Sequence, residues 1–385
     1  MRSIIGLRTA GALACAATLA ISAANANIST SPLTGFTGGA LQLKSAGPLA
    51  FGPDGILFVG DSAGGQVVAI DTQDRKPAKA APINIDGIDA KIAAKVGVAR
   101  DQIVINDIKV NPISKDVYIS AARGRGPDAM PLIVRVRGGH ITVLPLDNVK
   151  HSEVRLTDAP APSAAAGRRG NQRMLTITDM AYVHGDLMVA GLSNEEWSSA
   201  LRSIPFPFEK TAAEATTIQI WHASHGRYET QAPIRTFVPY SISGHEYVLA
   251  AYTCTPLVTI PFTDLKPGSQ VHGTTIADLG AGNQPLDMVP YTRDGHHYIL
   301  INNTSRGVMK LMADDLGAYK PITAPTVTNV AGVPYKTIAN LTDVQHLAKL
   351  DNTDVLMLTG KAGSGPAWNP GPPLGPLNLE TVALP

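Results

Sequence analysis

Four aspartates stand in one recurring context: Asp107, Asp179, Asp287 and Asp343. Each precedes a short apolar run, as in Asp179-Met180-Ala181-Tyr182 and Asp287-Met288-Val289-Pro290-Tyr291. Each run leads into a turn and a second, longer apolar segment. If the fold brings these positions together, the carboxylates cannot all stay ionised unless a cation or an arginine compensates them. Carboxylates with amide oxygens beside them suit calcium or magnesium. The candidate metal ligands are therefore Asp107, Asp179, Asp287 and Asp343, helped by Asn106 and Asn302. The same aspartates can instead accept hydrogen bonds from backbone N–H groups and simply fix turns.

Proton transfer needs a group near the reacting atoms. Asp179 is one candidate. His346 is another, three residues after Asp343 on the same apolar run. Cys254, in Tyr252-Thr253-Cys254-Thr255-Pro256, could serve as a nucleophile or ligand, or fill a bend as a small apolar residue. Its nearest histidine in sequence, His245, falls at the opposite turn. His222 and His225 read as the end of a peripheral strand, and His296-His297 as a hairpin turn. No Gly-x-Ser-x-Gly elbow, phosphate loop, dinucleotide fingerprint or EF-hand loop is present.

The elements that must position these residues repeat. Pro48 to Phe51, the turn Gly52-Pro53-Asp54-Gly55, Ile56 to Val59, a polar loop at Asp61 to Gly65, and Gln66 to Asp71 make an antiparallel meander. The same phrase returns after Asp107, Asp179, Asp287 and Asp343, and once more near Thr236. The aspartates fall at steps of 72, 108 and 56 residues. Strand units repeating at this length predict a β-propeller. The fold class is all-β, with six blades, or seven as the alternative. Pro48, Asp107, Asp179, Thr236, Asp287 and Asp343 are expected at the entry to each innermost strand. The loops after the second strands, with Asp61, Cys254, Asn302 and Asn303, are expected on the same rim. The segment Ser193 to Thr216, with Trp197, Phe206 and Phe208, is expected as a lid inserted in the third blade. The last blade takes its outer strand from Leu377 to Leu384, or from an N-terminal strand near Leu41 to Lys44. The connections at 73–105 and 145–177 are long for links between blades, and the second, rich in Ala, Pro, Gly and Arg from Pro160 to Arg169, is expected as a mobile surface loop.

Composition agrees with many short strands. There are 36 Gly and 29 Pro, and charged residues make up only 16%. A net charge of +1 gives no electrostatic case for nucleic acid. Arg2 and Arg8, the apolar stretch Ala10 to Ala20 and the small-x-small site Ala24-Asn25-Ala26 read as a secretory signal, residues 1–26, cleaved after Ala26. Residues 27–385 then form a single exported domain, periplasmic or extracellular, with no membrane span. Losing Cys15 leaves Cys254 as the mature chain's single cysteine, so no intramolecular disulfide is expected.

The phrase Gly52-Pro53-Asp54-Gly55, an apolar strand and Asp61 resembles the blades of six-bladed propellers of the NHL and senescence-marker/gluconolactonase kind. The resemblance is architectural and covers the first blade best. It implies a central divalent cation, often calcium, held by acidic and amide side chains. The family's acidic ligand near the N-terminus has no counterpart, because Pro48 stands there. Two functions follow. One is a divalent-cation-dependent hydrolase of lactone or ester type, working at the central channel. The other is a non-catalytic propeller that binds a small-molecule ligand or another exported protein. A metal-dependent oxidoreductase is a minor third.

Overall fold

The computed structural model describes residues 31–385 except 127, 164–165, 168–169, 209–211, 213, 255, 327, 329 and 365–370. The expected leader, residues 1–26, lies outside the described residues. Among the described residues no helix is long and apolar enough to cross a membrane.

The body from Pro32 to Pro385 is an all-β propeller. Among the described residues, six antiparallel meanders run from the inside outward. Their inner strands are Leu49–Phe51, Ile103–Val110, Asp179–Val183, Ile234–Ile242, Pro285–Arg293 and Val344–Lys349. Alternation along these strands places one side-chain face on the axis.

The inner strands close on one another, but not in chain order. The first neighbours the second and the third; the second neighbours the sixth; the fourth lies between third and fifth, and the fifth between fourth and sixth. The second meander therefore sits between the first and the last. Six apolar clusters report the same order, one in each gap. Tyr118 and Ile133 pack with Leu57 between the first two meanders. Ile119 and Val134 pack with Leu356 and Leu358 between the second and sixth. The other four clusters fill the gaps from first to third, third to fourth, fourth to fifth and fifth to sixth. Fully burying each such side chain contributes about 1.5–3 kcal/mol, so the gaps between sheets carry the fold.

The unexpected order explains the two long connections. The first carries Asn84–Ile85 to the outer edge of the last meander, where it pairs with Asn378–Ala383, and then forms the helix Ile88–Val96. The second returns Val149–Arg155 to the outer edge of the first meander, against Gln66–Asp71. Thr37–Gly39 pairs outside it. Both connections thus carry strands that complete other meanders, and the first a helix as well; the expected loop from Pro160 to Arg169 lies partly outside the described residues. The C-terminal candidate supplies the last meander's third strand, Asn378–Ala383; Leu41 to Lys44 does not.

The expected lid is also corrected. Ser199–Pro205 is the third strand of its own meander, paired along its whole length with Asp186–Leu192. Phe206 then packs edge-on against Phe58 and Tyr182 in the gap with the first meander. Phe206 is a core residue and Phe208 packs partly buried beside it, while Trp197 is half-buried and lies edge-on against His272. The third and fourth meanders also join at their outer edges, through parallel pairing of Thr217–Ile220 with Gln270–Gly273.

Candidate functional site

Four inner strands carry a β-bulge at the same place. It falls between Ile105 and Asp107, Ile234 and Thr236, Pro285 and Asp287, and Val344 and His346. A bulge re-aims the side chains beside it. The residue after each bulge is Asp107, Thr236, Asp287 or His346. The sixth member of the aspartate series is therefore His346, not Asp343. Asp343 lies three residues earlier, exposed, in the left-handed region at φ 55°. It does not join the other aspartates.

Asp107, Asp179 and Asp287 each reach across to the next inner strand. Asp107 Oδ2 accepts from Leu49 N–H at 2.7 Å, Asp179 Oδ2 from Phe237 N–H at 2.9 Å, and Asp287 Oδ2 from Leu347 N–H at 3.0 Å. Amides and a hydroxyl work beside them. Asn106 Nδ2 donates to Ala46 O, Asn302 Nδ2 to Val344 O, and Thr178 Oγ1 to Ile234 O. Asn302 Oδ1 accepts from Asn303 N–H. These contacts tie second to first, third to fourth and fifth to sixth meander; the aspartates accept from backbone N–H groups as the sequence left open, but the donors lie in inner strands rather than turns.

Lys109 lies among the carboxylates. It is two residues beyond Asp107 on one strand, so both side chains face the axis. Its Nζ is 3.6 Å from Asp107 Oδ2. Burial alone would lower the lysine pKa, but Asp107, Asp179 and Asp287 together raise it, so it stays charged. Sequence reading passes over this residue, although the i, i+2 spacing from Asp107 could have found it. Asp179 is pushed up to about 6, chiefly by burial, against the pull of Lys109 and the Phe237 hydrogen bond. Burial also raises Asp107, with Lys109 opposing and Asp287 adding to the rise. Burial would raise Asp287 too, but the nearby charges of His346 and Lys109 bring it below its usual value. His346 Nδ1 is 3.3 Å from Asp287 Oδ2. Burial would lower the His346 pKa; Asp287 and Asp107 outweigh it and raise the value.

A cavity of about 390 Å³ opens beside this cluster. Its wall includes His346, Arg235, Gln345 and Leu286, together with Asn303 and Ser305 from the turn after the fifth meander's second strand. Arg235, Leu286 and Gln345 are the bulged residues of their strands. Arg235 Nε is buried without a hydrogen-bond partner, and desolvation lowers the guanidinium pKa. Arg235 was not anticipated, because nothing in its local sequence marks the bulge.

The donor set does not suit the calcium ion that the family resemblance implied. One ligand atom each from Asp107, Asp287 and His346 lie within 4.8 Å of one another. Calcium takes about 6–8 oxygens. Asn302 Oδ1 is already engaged and Lys109 stands against Asp107. Cys254 lies outside this cluster. It stands instead with His222 and His225, one potential ligand atom from each lying within 4.8 Å. The two histidines do stand at the end of an outer strand, Thr216–His222, as expected from sequence, and Cys254 is brought up to them there.

No family model matches the sequence, and no curated protein matches it. Solved structures align with it at low identity. A Thermus thermophilus protein described as an oxidoreductase (glucose dehydrogenase) is 12% identical over 90% of this chain and 100% of its own, with TM-score 0.31. The PQQ-bound aldose sugar dehydrogenase of Streptomyces coelicolor is 12% identical over 90% and 98%, with TM-score 0.26. The β-propeller domain of Cps50 (Swd1) from Myceliophthora thermophila is 13% identical over 84% and 82%, with TM-score 0.35. Values this low carry no inference about chemistry, which rests on this chain's own residues.

Proposed function

We propose that the axial cavity is the active site of a hydrolase acting on a small lactone or ester. The observation that carries this reading is His346 in the cavity wall, with the Asp287 carboxylate 3.3 Å away and Arg235 in the same wall. A cavity of this size falls within the range that takes a small organic molecule. His346 would accept a proton from water as the oxygen attacks the carbonyl carbon. Arg235, whose buried Nε lacks a partner, would donate to the developing oxyanion. The C–O bond to the leaving alkoxide then breaks, and protonated His346 returns the proton to it. Asp287 orients the ring and stabilises its charged form. Lys109 opposes the rise that burial imposes on Asp107 and Asp179 and helps keep Asp287 low. This keeps the lactone or ester reaction but assigns its electrophilic role to Arg235, and no step passes through a metal.

The test is turnover of a panel of γ- and δ-lactones and p-nitrophenyl esters, with EDTA present. Activity should survive EDTA and fall about 10²-fold or more in His346→Ala. Loss with EDTA, restored by calcium, would favour the divalent-cation reading, for which the convergence of Asp107, Asp287 and His346 speaks. A ligand that raises the melting temperature but is never turned over would favour a binding propeller. An exported location, expected from residues 1–26, fits each reading equally.

A further inference from the structure

We propose that His222, His225 and Cys254 form a second, separate site that binds a thiolate-seeking transition-metal ion, zinc or copper. The strand Thr216–His222 ends in a tight turn, with His225 N–H donating to His222 O at 3.1 Å and Gly226 N–H to Ala223 O at 3.2 Å. This turn sets the two imidazoles side by side, ring centroids 3.8 Å apart. Asp278, on the neighbouring meander, holds the turn from below. Its Oδ2 accepts from Ser224 N–H at 3.0 Å and Ser224 Oγ–H at 2.6 Å. Its other oxygen, Oδ1, is buried without a hydrogen-bond partner.

Glu229 fixes which nitrogen each ring offers. Its Oε2 lies 2.8 Å from His222 Nδ1, and its Oε1 lies 2.8 Å from His225 Nδ1. Arg227 also donates to Oε1, from Nε at 3.1 Å and from Nη2 at 3.0 Å. An ionised carboxylate only accepts, so both Nδ1 atoms carry hydrogen. A neutral ring then presents a bare Nε2. His222 is almost fully buried, and its Nε2 has no hydrogen-bond partner. A buried orphan acceptor calls for an explanation. A metal ligand whose other nitrogen donates to a carboxylate is the arrangement that explains it.

Cys254 supplies the third donor. It occupies the turn between His245–Tyr252 and Pro256–Pro261, at φ 65°, with its N–H donating to Asn283 O at 3.0 Å. The sulfur and one ring nitrogen from each histidine lie within 4.8 Å of one another. Zinc–sulfur and zinc–nitrogen bonds of about 2.3 and 2.0 Å need separations of about 3.5 Å, so a bound ion would draw the three donors closer together. One sulfur and two imidazoles select zinc or copper over calcium or magnesium. The site lies beside the axial cavity: Asn283 Oδ1 also accepts from Ser305 N–H and Oγ–H, and Ser305 lines that cavity.

The test uses the full folded chain, stripped of metal with a chelator and titrated with Co(II), Zn(II) or Cu(II) alone. Co(II) should give a thiolate-to-cobalt charge-transfer band at one equivalent, which Zn(II) abolishes by competition. A thiolate-to-copper band with Cu(II) that Zn(II) fails to displace would identify copper as the preferred ion. Cys254→Ser should remove the band, and Glu229→Gln should weaken binding about 10–100-fold. One equivalent of Zn(II) should also protect Cys254 of the unmutated chain from alkylation, read by peptide mapping, which needs no variant to fold. Absence of a thiolate band, equal affinity in Cys254→Ser, or unchanged alkylation would each overturn the site.

Discussion

Lys109 is the residue on which the axis depends. Three carboxylates converge there, and removing a partner from a buried charge cluster strands what remains. Lys109→Met should cost about 3–5 kcal/mol at neutral pH. The loss should shrink as pH falls and the aspartates protonate, as urea unfolding at pH 7.5 and pH 4.5 would show. Asp179 makes a related prediction. Its folded pKa of about 6 lies above the ordinary value of 3.8, so the folded state binds more protons between these values. Its contribution is present in full below about 3.8 and is lost as pH rises through about 6. Asp179→Asn should flatten stability against pH across that window. At this scale the sequence is partly legible. Asp107, Asp179 and Asp287 can be found by type and repeat. His346 cannot be placed, because the bulge between Val344 and His346 shifts the register and makes Asp343 look equivalent.

Strands and their ties set the next scale. Each staple joins two meanders through one carboxylate oxygen and one backbone N–H. Away from the axis the third meander has a different tie. Arg202 is fully buried, with Nε 2.9 and 3.1 Å from the Asp158 oxygens, Nη1 3.3 Å from Thr176 O and Nη2 3.0 Å from Leu192 O. Arg202→Met keeps the volume but leaves Asp158 and two carbonyls without their donor. It should destabilise by about 3–5 kcal/mol, seen in the midpoint of chemical denaturation. The strand that carries Arg202 reads as part of a lid in the sequence. Trp197, Phe206 and Phe208 around two prolines look like a cover when the partner strand is unknown. Alternation in Ser199–Pro205 is interrupted by the buried arginine, which hides the strand period.

The whole molecule is closed by exchange of strands between distant parts of the chain. Asn84–Ile85 completes the last meander and Val149–Arg155 completes the first. Deleting residues 374–385 removes the third strand of the last meander and uncovers the gap filled by Leu379 and Leu358. The expected outcome is loss of the single cooperative melt, followed by circular dichroism. A melt unchanged from that of the full chain would show that closure contributes little. The sequence predicts repeated meanders, because hydrophobic alternation and Asp-Gly turns are local signals. It does not show that the second meander sits beside the last. Neighbour order is set by which apolar faces meet, and each face reads alike in sequence.

The central claim is that the Asp287–His346 pair supplies the base for hydrolysis in the axial cavity. The most direct test is kcat/KM against pH, on a lactone the protein turns over, for the unmutated chain, Asp287→Asn and His346→Ala. The unmutated chain should show an acid limb with a pKa above 6.5, since the carboxylates raise His346 from that value. Asp287→Asn should move the limb to lower pH, because it removes the charge that holds the proton, and His346→Ala should abolish the limb. An acid limb that stays in place in both variants would contradict the claim.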